Sequence, residues 1–240
     1  RIASLQAGLF EPHLTLGVTR PTRGDLMIYA VDVGSTIPKH GGVAFAWSGV
    51  DDAGREVRTG SSPGTLAGEI ASRIKNGESV ALGIEAPLFI PVPPDEADLS
   101  KGRENERSRS WAAPAGGYVA ALAVHQCAWL LRTLFGECAS RCDIDVDPDA
   151  WYGRARRRPV IFCWEAFVSG VAHGSHADDA RTAAMYFHTH QGDLVSAVTA
   201  RNPISLFGAA VLWSGWSDDL LWLRRPLVVL RPDARWVTAS

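Results

Sequence analysis

Three apolar runs in this chain end in a carboxylate. Asp32 closes Leu26–Val31, Glu85 closes Ser79–Ile84, and Glu165 closes Pro159–Trp164. A fourth acid, Asp179, stands three residues after His176, at the start of a stretch of helical pattern that runs to Phe187. A carboxylate at the tip of a buried strand costs free energy unless it is paired or holds a cation. In open α/β sheets, ligands bind beyond the carboxyl ends of the strands, so acids from separate strand ends converge there. Converging carboxylates repel one another until a divalent cation neutralises them, and an oxygen-only donor set suits Mg²⁺ or Mn²⁺. Two such ions about 3.5–4 Å apart activate a water and stabilise the leaving oxygen in phosphodiester cleavage.

The elements that must position these acids follow from the pattern of apolar residues and breakers. Leu26–Val33, with β-branched and aromatic members and Gly34 behind it, reads as a buried strand. After a turn at Gly41-Gly42, Val43–Trp47 reads as a second strand. The turn signal Asp51-Asp52-Ala53-Gly54 leads to a third at Arg55–Gly60, which completes an antiparallel meander. Leu66, Ile70 and Ile74 share one helical face, with Thr65 as the expected cap. Ser79–Ile84 lacks alternation, as a strand buried on both faces does. Further helices are expected at 117–135, 177–187 and 205–213, and a last strand at 226–231. Expected organisation is a variable leader over 1–24 and a single α/β domain over 25–240. A long loop over about 86–115 and an irregular segment over about 138–158 interrupt that domain.

The order of these parts resembles the ribonuclease H-like superfamily. It is most similar to RuvC-type resolvases and to a family described as predicted RNase H-like nucleases. The likeness lies in Val31-Asp32-Val33-Gly34-Ser35 at the first strand, Gly83-Ile84-Glu85-Ala86-Pro87-Leu88 at the fourth, and His176-Ala177-Asp178-Asp179-Ala180 on a late helix. It implies a mixed sheet flanked by helices, with Asp32, Glu85 and Asp179 as metal ligands and Glu165 and His176 assisting. It favours Asp179 over its neighbour Asp178. It also implies an Arg-rich segment after the fourth strand, matched by Arg103, Arg107 and Arg109, as the phosphate contacts of a nucleic-acid partner. The resemblance departs from the resolvase pattern at His176, where an acid is usual.

Bulk properties narrow the remaining choices. A net charge of −2 exerts no overall pull on nucleic acid or anionic membrane, so such contacts must come from local patches. The basic run Arg154–Arg158 is a second such patch, and Trp111 and Tyr118 are candidates to stack a base. Asp143, Asp145, Asp147 and Asp149 imitate the start of a calcium loop, but Arg154 falls at its twelfth position. Glu165 is also a candidate for an ion pair with Arg181, and His188 and His190 read as surface residues. Four cysteines without a CxxC pair suit reduced thiols in a cytoplasmic protein. The uncharged run near 202–217 is short for a membrane span. Two other function classes fit parts of the chain. Asp32-x-Gly34-Ser35-Thr36 also resembles the first phosphate motif of actin-like and sugar-kinase-like ATP-binding domains, but no second Asp-x-Gly strand accompanies it. A non-catalytic RNase H-like binding module would instead use the Trp-rich residues 213–236 as an interface.

Overall fold

The computed structural model describes residues 26–38, 43–106, 110–149, 151, 158–168 and 174–232. The leader, Gly41-Gly42, Arg107, Arg109, Arg154–Arg157 and Trp236 lie outside that set. The architecture is a seven-stranded mixed sheet flanked by helices, in the order β3 (Glu56–Gly60), β2 (Ala46–Asp51), β1 (Leu26–Asp32), β4 (Ser79–Glu85), β7 (Val160–Ala166), β6 (Asp143–Asp145), with β9 (Val229–Leu230) also on β7. The central strand β1 (Leu26–Asp32) pairs antiparallel with β2 (Ala46–Asp51) and parallel with β4 (Ser79–Glu85). With a neighbour on each side and helices over each face, β1 and β4 are buried along their whole length, which is why both read as unbroken apolar runs. At one edge β3 (Glu56–Gly60) is solvent-exposed and carries Glu56 and Arg58, charges that discourage pairing with another chain.

The second strand begins three residues later than the apolar pattern predicts. The N–H groups of Ala44 and Phe45 both donate to Ser35 O, at 3.0 and 3.2 Å, so they bind the loop after β1 instead of a strand. Ser48 and Gly49, which interrupt the pattern, sit mid-strand for specific reasons. Ser48 Oγ bonds Glu56 Oε1 at 3.1 Å, and a Cβ on Gly49 would lie 2.8 Å from the Tyr29 ring. The same close approach explains Gly34, whose Cβ would overlap the Ala44 backbone.

Helix α1 (Pro63–Lys75) is capped by Ser62, whose Oγ accepts from Thr65 N–H at 3.3 Å. Thr65 is therefore the residue bonded to the cap, and Pro63 at the first helical position extends the helix beyond the expected start. Helix α2 (Pro114–Cys138) is longer than expected at both ends. It alone among the described helices is long and apolar enough to cross a membrane by length and composition. Its buried stripe, including Ala123, Cys127, Leu130 and Leu134, packs on the sheet.

Both segments expected to be irregular hold ordered structure among their described residues. Within 86–115, β5 (Phe89–Pro91) pairs antiparallel with β8 (Pro203–Ser205), and Glu96–Asp98 forms a 3-10 turn. Within 138–158, β6 (Asp143–Asp145) lies parallel beside the first half of β7 (Val160–Ala166). The short β9 (Val229–Leu230) lies beside its second half. Asp145 is fully buried, and its Oδ1 accepts from the Arg225 guanidinium at 3.0 Å.

Two cores lie on opposite faces of the sheet. Met27, Tyr29 and Val31 of β1 face α1, α2 and α4 (Leu206–Ser214), while Leu26, Ile28 and Ala30 face α3 (His176–His190). Strand residues alternate faces, so this parity fixes where each terminal acid points.

Candidate metal centre

Asp32 and Glu85 are register partners at the carboxyl ends of the parallel pair β1–β4. Both continue the even β1 set and the odd β4 set that turn towards α3, as Ala30 and Ala81 do. Helix α3 then brings its first turn over these strand ends. Its start is set by a capping box: Ser175 Oγ accepts from Asp178 N–H, and Asp178 Oδ2 accepts from Ser175 N–H at 2.8 Å. Asp178 is thus committed to the cap, and the Ser175 N–H bond holds its carboxyl below the usual range. Asp179, one residue on, turns inward. His176, three residues before it, occupies the same face of the helix.

Asp32, Glu85 and Asp179 each offer a carboxylate oxygen, and the three oxygens lie within 4.8 Å of one another. A set of three carboxylates at this separation can hold a metal ion. His176 Nδ1 lies 2.5 Å from Asp32 Oδ2, so with Asp32 ionised the ring N–H donates to that oxygen and orients the carboxylate. Burial pushes the Asp32 carboxyl up from an ordinary 3.8 to about 6. The His176 bond opposes that rise, and the Asp179 charge adds to it. This environment suits a charge that a cation compensates.

Two of the other expected site residues lie elsewhere. In the β4–β7 register Glu165 pairs with Ile84, not with Glu85. It therefore points to the face opposite the acid cluster, alongside Ile161 and Cys163. There its two oxygens accept from the Arg103 guanidinium at 2.7 and 2.8 Å, and Oε2 also accepts Leu88 N–H at 2.9 Å. Arg103, expected on a solvated loop as a phosphate contact, is 4 % exposed. It also binds Glu106 and stacks over Phe89, with its guanidinium carbon 4.6 Å from the ring centroid. Arg181, the alternative partner for Glu165, pairs with Glu56 at 3.4 Å. Glu106 is the member of this network that the sequence reading missed; the spacing Arg103-x-x-Glu106 inside a charged run was its one visible trace.

Trp111 is held by a bond from its Nε1 to Lys101 O, at 3.2 Å, and Tyr118 is exposed. His188, expected at the surface, is half-buried with Nε2 2.8 Å from Asp52 O. Neither a family model, nor a curated protein, nor a solved structure matches the chain.

The shift of Asp32 has a measurable consequence. Its folded value lies above its unfolded one, so its contribution to stability is fully present below about pH 3.8 and is lost as pH rises through about 6. Cations bind the ionised carboxylate. The rise in melting temperature caused by Mn²⁺ is therefore expected to be small at pH 5 and to grow to its full size by pH 7.5. Thermal melts with Mn²⁺ or EDTA at both pH values check this. Equal rises at the two would contradict it.

Proposed function

We propose that this chain belongs, by class, to the divalent-metal-dependent phosphodiesterases. More particularly, we propose that it is a nuclease of ribonuclease H-like architecture, with Mg²⁺ or Mn²⁺ as cofactor and nucleic acid as substrate. The observation that carries the proposal is the convergence of Asp32, Glu85 and Asp179, from three separate elements, to within 4.8 Å. The arrangement of the sheet supports it: the antiparallel meander, the crossover helix α1, the parallel fourth strand and the acid-bearing α3 stand in the order that the resemblance implies.

Each residue of the cluster has a definable task. Asp32, Glu85 and Asp179 would hold the ion. The ion would polarise a phosphodiester oxygen and lower the pKa of a bound water. His176 fixes the orientation of Asp32 and, being half-exposed, stands where a proton can pass between the site and solvent. The Arg103–Glu165–Glu106 network braces the loop after β4, because Glu165 takes the N–H of Leu88, three residues beyond Glu85. Glu165 and Arg103 would thus serve the site through the backbone.

The test is cleavage of labelled single-stranded and duplex DNA and RNA with Mg²⁺, Mn²⁺ or EDTA. Cleavage is expected with the metals and not with EDTA, and Glu85→Gln and Asp179→Asn are each expected to remove it. Equal cleavage by the wild type and both variants would overturn the proposal.

A further inference from the structure

A second concavity opens at the same strand ends but on the other face of the sheet. It is a cleft of about 540 Å³ between α2 and the loop after β1, with the start of α1 at its rim. Val31, Val33 and Ile84 form its floor. These are the chain neighbours of Asp32 and Glu85, and alternation turns them away from the acids. Tyr118, Leu122 and Trp129 of α2 form one wall. Tyr118 and Trp129 are 68 % and 46 % exposed, so two aromatic side chains stand open beside the groove.

The lining of this cleft selects its occupant. Among the described residues it contains no Asp, Glu, Lys or Arg, and His125 is its one imidazole. Its walls are apolar and aromatic, and its polar side chains among the described residues are Ser35, Thr36, Gln126 and His125. A flat, uncharged heterocycle with hydrogen-bonding edges matches this lining, and aromatic side chains stack any base through its π-face. The rim adds charge complementarity. The first turn of α1 carries no acid, and the N-terminal end of a helix favours a nearby anion such as a phosphodiester. Adjacent residues of β1 serve the cleft and the acid cluster. A strand of nucleic acid draped over the sheet end would thus set a phosphate at the acids and a neighbouring base in the cleft.

We infer that this cleft binds an unpaired nucleobase, and that the substrate of the acid site is single-stranded nucleic acid or a strand with an unpaired nucleotide. The inference rests on the nuclease proposal for the placement of the phosphate; the base pocket itself is tested separately. A base held in a duplex is already stacked and paired, so entry to the cleft favours strands that are open at that position.

The test uses the full chain in EDTA, which removes cleavage from the readout. An oligonucleotide bearing 2-aminopurine, single-stranded or annealed, reports stacking through its fluorescence. Quenching is expected with the single strand and at least about 10-fold weaker binding with the duplex. Tyr118→Ala combined with Trp129→Ala is expected to weaken single-strand binding by about 10-fold or more. Both side chains are exposed, so the melting temperature should stay near wild type. Leu122→Trp, which fills the cleft, is expected to remove quenching with the fold retained by circular dichroism. Unchanged single-strand affinity in the double variant, or duplex bound as tightly as single strand, would overturn the inference. Asp32→Asn separates the two sites. If it loses cleavage and keeps quenching, both stand. If the wild type quenches but never cleaves, the cleft stands and the nuclease proposal falls. If the wild type cleaves and the cleft variants bind as it does, the cleft alone falls.

Discussion

Asp32→Asn is expected to lower Mn²⁺ affinity by more than about 100-fold, since changes to groups that merely orient ligands already cost 10–100-fold. The same substitution is expected to raise the thermal stability of the EDTA-treated protein at pH 7.5. These opposite signs share one cause. Asp32 is mostly buried beside Asp179, and its carboxyl is pushed up to about 6. Ionising it in the folded chain at pH 7.5 costs roughly 3 kcal/mol at most, from about 1.4 kcal/mol for each tenfold change in equilibrium. A neutral amide of nearly the same shape avoids that cost. The gain should fade towards pH 4, where Asp32 is itself protonated. Titration calorimetry with Mn²⁺ and melts across pH measure the two effects. A residue that only closed a turn would show no loss of metal affinity, and one held in a structural ion pair would destabilise the fold when replaced.

Arg103→Ala is expected to destabilise the fold by about 3–5 kcal/mol, the range for removing one partner of a buried ion pair. Its guanidinium binds both Glu165 and Glu106, and all three side chains are about 1 % exposed. Removing it strands two carboxylates in the interior. Burial already pushes the Glu165 carboxyl up, with Arg103 opposing that rise. Without the arginine the rise should be larger, and a raised folded value means stability that is lost as pH increases. The destabilisation should therefore be smaller at pH 5 than at pH 8. Arg103→Lys should recover only part of it, because an ammonium cannot reproduce a fork of parallel bonds to two carboxylates. Urea denaturation midpoints at the two pH values report the result. A stable Arg103→Ala protein with weakened nucleic-acid binding would return Arg103 to the role of a phosphate contact.

The parts of the site that the sequence revealed are those whose signal is local. Asp32 and Glu85 each end a run apolar enough to mark a central strand, and both runs stop at a Gly or Pro. Asp178 and Asp179 were separated in the sequence by the resemblance alone; the structure supplies the physical reason, a capping box from Ser175 that commits the Asp178 carboxylate. Glu165 was not legible in the same way. Its strand is buried on both faces, so Val160–Ala166 shows no alternation from which to read which way the acid points. Only the register against Ile84 decides that. Arg103 failed for a different reason. A charged run reads as solvated, and its main partner Glu165 lies 62 residues away. The strand β6 was hidden because Asp is a poor strand former, and Asp145 is tolerated there by its bond to Arg225.

The most direct test of the central claim is the anomalous scattering of Mn²⁺ in crystals grown or soaked with the ion near pH 7.5. A peak coordinated by oxygens of Asp32, Glu85 and Asp179 is expected, with its loss in Asp32→Asn crystals treated identically. Density that places Mn²⁺ on other acids while these three stay uncoordinated would contradict it.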